Sequence, residues 1–113
     1  KLQIIRRIPG KKLMVGDSIT DLEAKECVEL FVGYGGVERI AKVEDKSQLY
    51  LYCRSLTPVV VLAAGVEGCM KLLPTKYKRF VGKGLDLLSH PKHVKTHRSL
   101  INHLAEYKTV AYY

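Results

Sequence analysis

Three short apolar runs limit what this chain can become: Leu-Met-Val within residues 12–16, Phe-Val-Gly-Tyr at 31–34, and Leu-Tyr-Leu-Tyr within 48–53. Each is too short for a buried helix and is bounded by glycine or polar residues, the pattern of a strand covered on both faces. Helix-forming stretches lie between them. Leu2, Ile5 and Ile8 fall at helical spacing with Ile4 alongside, and Pro9-Gly10 ends that element. Asp17-Ser18-Ile19-Thr20 reads as a polar turn before a helix over 21–26, whose acidic residues suit the positive end of a helix dipole. Gly35-Gly36 predicts a turn, and a short helix is expected near 38–42. Ser55-Leu56-Thr57-Pro58 predicts a helix start, with helix through 59–64 that Gly65 and Gly68 break. Strands alternating with helices define an α/β layer fold with a parallel sheet and flanking helices. Chemistry in such folds gathers at the carboxyl ends of strands. Residues Gly16-Asp17-Ser18-Ile19-Thr20-Asp21 occupy that position.

With 113 residues there is room for one small domain. The apolar share of 47% excludes a disordered chain. No run approaches the ~18 apolar residues of a spanning helix, so no membrane partner is expected. The N-terminal residues lack the long apolar region and small-residue cleavage site of a signal peptide. Cys27, Cys53 and Cys69 are odd in number and have no CxxC spacing, which suits reduced thiols in a cytoplasmic protein.

Charge divides the chain at Glu67. Residues 1–67 carry ten basic and nine acidic side chains, whereas residues 68–113 carry nine basic and two acidic ones. The second part reads as a basic helical extension. Tyr77, Phe80, Val81, Gly84, Leu85 and Leu88 form one helical stripe, on which the aromatics are expected to face the core. Pro91 is placed to open a second helix, with Val94, His97, Ile101, Leu104 and Tyr107 on its stripe. Lys78 and Arg79 between Tyr77 and Phe80 would also suit a nucleic-acid surface, if the aromatics were exposed. His90, His93 and His97 suggest a metal cluster, with His93 and His97 at the i, i+4 spacing of one helix face, but no Cys or acid completes a site.

Asp17 stands just past a strand end and Asp21 follows four residues later. Two hard oxygen donors in one turn suit Mg²⁺, which takes one or two carboxylates together with water and phosphate. The bare spacing is most simply structural, with Asp21 a helix cap and Asp17 a turn residue. The longer string Val15-Gly16-Asp17-Ser18-Ile19-Thr20-Asp21-Leu22-Glu23-Ala24 resembles the fourth motif of the haloacid dehalogenase-like (HAD) phosphatases, and within them the phosphoserine phosphatases. Phe31-Val32-Gly33-Tyr34-Gly35-Gly36 is similar to the strand and turn that follow there, and Val43-Glu44-Asp45-Lys46 matches in kind and spacing. The resemblance covers roughly residues 1–65.

The resemblance implies the C-terminal part of a Rossmann-like three-layer HAD core over residues 1–67, followed by the extension at 68–113. It implies Asp17 as the direct Mg²⁺ ligand, Asp21 in support of the metal site, Ser18 and Thr20 near the phosphate, and Lys1 as the residue that offsets the anionic charge. The implied substrate is a small phosphorylated metabolite, with phosphoserine leading. The reaction would pass through an aspartyl-phosphate. Position 18 is Ser where phosphoserine phosphatases usually have Gly.

No Asp-x-Asp-x-Thr/Val nucleophile motif occurs in the chain, nor the family's Ser/Thr phosphate motif or cap domain. The chain is therefore expected to be one part of the enzyme, completed by an N-terminal segment or a second chain. The strand ending at Asp17 would keep an open edge, and the isolated chain would be marginal or self-associating, and inactive. A non-catalytic module binding nucleic acid through its basic extension, and a regulatory pseudo-phosphatase subunit, are the alternatives.

Overall fold

The computed structural model describes residues 2–110. Helix α1 (Leu2–Arg7) precedes β1 (Leu13–Gly16), α2 (Ile19–Leu22), β2 (Leu30–Tyr34), α3 (Ala41–Lys46), β3 (Leu49–Leu51), α4 (Thr57–Leu72), α5 (Lys78–Leu88), β4 (Val94–Thr96) and α6 (Ile101–Ala105). The four strands form one sheet in the order β1-β2-β3-β4. β1, β2 and β3 are parallel, with Gly16 beside Gly33 and Gly33 beside Tyr50. β4 joins β3 antiparallel, with Val94 opposite Leu51. The chain is thus a mixed α/β protein built on a mostly parallel sheet.

Successive strand residues point to opposite faces, and the two faces bury different sets. Phe31 and Tyr50 meet Val43 of α3, with Met14 and Leu22 against them. Val32, Leu49, Leu51 and Val94 meet Val61, Leu62 and Cys69 of α4 and Val81 and Leu85 of α5. Burial of each such aliphatic side chain contributes about 1.5–3 kcal/mol. This second core crosses the division at Glu67, because α4 itself runs through that residue and both helix α5 and strand β4 supply core side chains.

Several elements differ from the sequence reading. α2 starts at Ile19, and a 3₁₀ turn over Glu23–Cys27 replaces the rest of the expected helix over 21–26. The helix expected near 38–42 lies at Ala41–Lys46. Gly65 breaks the helix as expected, with φ 75° and ψ 172°, so that α4 is two helical halves joined by a kink; Gly68, in the second half, does not break it. The resumed half is retained because Cys69 and the following Leu73 are buried in the core. After Pro91 the chain forms β4 rather than a helix, since the backbone of 94–96 completes the open edge of β3. Within the expected stripe His97 and Ile101 are exposed, and His93 and His97 flank a strand instead of sharing a helix face. On α5 the core side is Val81, Gly84 and Leu85, which leaves Tyr77 and Phe80 in solvent.

α5 can lie against α4 because position 84 has no side chain. A Cβ at Gly84 would stand 2.5 Å from the Thr57 carbonyl oxygen and 2.5 Å from Val61 Cγ2. At the other side of the sheet β1 is an edge strand. Its Leu13, Met14 and Val15 are only half-buried, whereas all of β3 is buried. Among the described residues no helix is long and apolar enough to cross a membrane.

Candidate active site

The turn after β1 is held by its own side chains. Ser18 is the N-cap of α2: its Oγ accepts from the Asp21 N–H at 3.1 Å. In return Asp21 Oδ2 accepts from the Ser18 N–H at 3.4 Å and from the Asp17 N–H at 3.2 Å. This reciprocal capping satisfies amide groups that the helix start leaves without partners. Gly16 makes room for it, since a Cβ there would lie 2.4 Å from Asp21 Cβ. Asp21 therefore shapes the turn, and Asp17 contributes only its backbone to that arrangement.

The Asp17 side chain is exposed at the carboxyl end of β1 and has no hydrogen-bond or ion-pair partner among the described residues. A carboxylate so placed fits a hard cation that completes its shell with water and phosphate oxygens. Asp21 fits a position behind it, orienting the turn that carries Asp17. Among the described residues no set of three His, Cys, Asp or Glu side chains converges as a metal cage. Thr20 is exposed on the first turn of α2, beside the Ser18 cap. Lys1 lies outside the described residues.

A second polar cluster lies on the Tyr50 side of the sheet. Arg39 donates through both Nε and Nη2 to the two oxygens of Glu44, at 2.7 and 2.8 Å. Tyr52 donates its hydroxyl to Glu44, and the Arg39 guanidinium stacks 5.1 Å from the Tyr52 ring centroid. The cluster ties the loop after β2 to α3 and to the end of β3. The Arg39 and Tyr52 hydrogen bonds hold the Glu44 carboxyl down at about 2. Its stabilisation is complete above the ordinary carboxyl value near 4.5 and is lost as pH falls toward about 2. Thermal melts should therefore show wild-type stability falling through that window, and Glu44→Gln should flatten the fall. An unchanged acid limb in the variant would remove Glu44 as its source.

Tyr50 is 1% exposed. Its hydroxyl makes no hydrogen bond of full geometry among the described residues, although the Ile40 amide faces it. Burial pushes this hydroxyl above its ordinary value; the Glu44 and Asp17 carboxylates add to the rise, and the Ile40 amide and Arg39 oppose it. The sequence reading missed this cluster. The Tyr-x-Tyr alternation at 50 and 52 was its only local signal, placing both rings on one face; they meet edge to face at 5.5 Å.

The histidines do not form a centre. His90 lies 3.5 Å from Asp86, His93 meets His90 ring to ring, and His97 accepts from the Ser99 N–H as a cap. Comparison with protein-family models, with curated proteins and with solved structures finds no match to this chain.

Proposed function

We propose that this chain carries the metal-binding turn of a Mg²⁺-dependent phosphomonoester hydrolase resembling the HAD phosphatases, with phosphoserine as the leading substrate. The observation that carries the reading is the Asp17 turn itself. It presents an exposed carboxylate, without a hydrogen-bond or ion-pair partner among the described residues, at the carboxyl end of a parallel strand, with its backbone fixed by Ser18 and Asp21.

The residues present define the division of labour. Asp17 would hold the cation, Asp21 would hold Asp17 in place, and Ser18 and Thr20 would line the phosphate side of the turn. Bound Mg²⁺ would offset phosphate charge and orient the phosphoryl group. The nucleophile comes from outside this chain. An aspartate on a strand paired with the open edge of β1 would attack phosphorus as the ester P–O bond breaks, with a second acid protonating the leaving alcohol. Water would then hydrolyse the aspartyl-phosphate. An apolar, half-buried edge strand is suited to receive such a neighbour from a preceding segment or a second chain.

The test is phosphate release from phosphoserine and a panel of other phosphomonoesters by the product of the full gene, with Mg²⁺ and with a chelator. Mg²⁺-dependent release is expected. Inactivity on every ester in the presence of Mg²⁺ contradicts the reading.

A further inference from the structure

The kink at Gly65 folds the two halves of α4 toward each other, with Cys69 Sγ 3.6 Å from the Val61 carbonyl oxygen. Val60 of the first half, Leu72 of the second, and Tyr77, Phe80 and Val81 at the start of α5 wall a groove of about 380 Å³. Every wall is apolar, and three of the five are open to solvent: Val60 is 44% exposed, Tyr77 47% and Phe80 59%. Scattered apolar residues on a surface need no explanation, but a contiguous apolar concavity does.

The surroundings are cationic. Lys76, Lys78, Arg79 and Lys83 are exposed along the same turn and helix, and the Lys76 ammonium stands 5.3 Å from the Tyr77 ring centroid. No acidic residue occurs between Glu67 and Asp86. Those two acids face other cations: Glu67 lies 3.5 Å from Lys71, and Asp86 lies 3.5 Å from His90. None of the four cations has an ion-pair partner among the described residues.

The charge selects an anionic occupant and argues against a second copy of a chain of net charge +8. The apolar walls select within the anionic classes. With Tyr77 and Phe80 exposed, bases would stack on their rings, but the apolar groove beside the rings would stay empty under a stacked strand, whereas acyl carbon fills it. An anionic bilayer supplies both chemistries in the right order, with phosphates outermost and apolar carbon beneath. Aromatic side chains settle at that boundary, and Lys and Arg beside them engage the headgroups. Contact of this kind is peripheral and needs no spanning helix.

We propose that the α4–α5 turn is a docking surface for an anionic lipid bilayer, with Tyr77 and Phe80 entering the interface and Lys76, Lys78, Arg79 and Lys83 meeting lipid phosphates. The surface is independent of the chemistry at Asp17.

The experiment is co-sedimentation of the full chain with vesicles of phosphatidylserine and phosphatidylcholine in equal parts, against vesicles of phosphatidylcholine alone. Binding is expected to the first and not the second. Lys78→Gln with Arg79→Gln should weaken it about thirtyfold, on about fivefold for each cation at the surface. Phe80→Ser should weaken it by about tenfold through lost apolar burial. Phe80 is exposed, so its replacement spares the core. The chain has no tryptophan, so Phe80→Trp adds a single reporter whose emission should shift to the blue on the anionic vesicles. Equal binding to neutral vesicles, or none to anionic ones, overturns the proposal. So does binding that responds to the charge variants but leaves Phe80→Ser and the Phe80→Trp emission unmoved. Tight binding of an oligothymidylate, lost in the same variants while vesicles are ignored, overturns it in favour of single-stranded nucleic acid.

Discussion

If the proposed phosphatase reading holds, Asp17→Asn in the full gene product will lower Mg²⁺-dependent turnover by about a thousandfold, the order seen when a group stabilising transition-state charge is removed. The expectation follows from what Asp17 does not do. Its side chain has no hydrogen-bond or ion-pair partner among the described residues, and only its N–H enters the capping of the turn. Asparagine retains that N–H and the shape of the side chain while removing the charge. The melting temperature should therefore stay near wild type, as for exposed substitutions that touch no special feature. Asp21→Asn provides the contrast. It disturbs the acceptor for two backbone amides, and part of its effect should appear as lost stability, up to about 0.5–2 kcal/mol for a weakened cap. Turnover across a Mg²⁺ titration, with thermal melts of each variant, separates the two roles. Unchanged turnover of Asp17→Asn at saturating Mg²⁺ removes Asp17 from the mechanism.

Gly84→Val will destabilise the fold by about 3 kcal/mol, at the upper end for overpacking a filled interior. One of the atoms in the way, the Thr57 carbonyl oxygen, belongs to the backbone of α4 and cannot move by changing a rotamer. Relief requires α5 to withdraw from α4, which also opens the contacts of Val81 and Leu85 with the sheet. Gly84→Ala decides whether space or propensity governs the position. In an unobstructed helix that change stabilises by up to about 1 kcal/mol. Here a Cβ alone already meets three atoms at 2.5–2.9 Å, so Ala should destabilise, though less than Val. Chemical denaturation of the pair measures it, and a stabilised Gly84→Ala would show that the helices are not closely apposed there.

β1, β2 and β3 were legible because each is a short apolar run between turn residues, a signal that needs no knowledge of tertiary partners. β4 was not. It is three residues long, only Val94 is buried, and its pairing joins Leu49 to Thr96 across the whole of α4 and α5. Meanwhile Val94, His97, Ile101 and Leu104 repeat at a spacing that imitates a helix. α5 was legible as a helix but not in its facing. Phe80 sits at the edge of the 77–80–81–84–85–88 stripe, and Tyr77, though central to it, is the N-cap ahead of the helix, so both stay exposed. The candidate site divides the same way. Asp17 was located by the strand before it, but the cap expected at Asp21 is Ser18, with Asp21 three residues into the helix; Ser-x-x-Asp was the local signal for that register. The Arg39–Glu44–Tyr52 cluster unites a loop, a helix and a strand end through tertiary contact, and no sequence period brings those three together.

On the proposed reading, Asp17 serves a site in which a carboxylate takes the phosphoryl group from an ester. Brief incubation of the full gene product with ³²P-labelled phosphoserine, quenched in acid, measures that transfer directly. Protein-bound label is expected that requires Mg²⁺, is released by hydroxylamine as an acyl phosphate must be, and is lost in Asp17→Asn. Mg²⁺-dependent hydrolysis that proceeds at the same rate in Asp17→Asn, with no acyl-phosphate label in either protein, would contradict it.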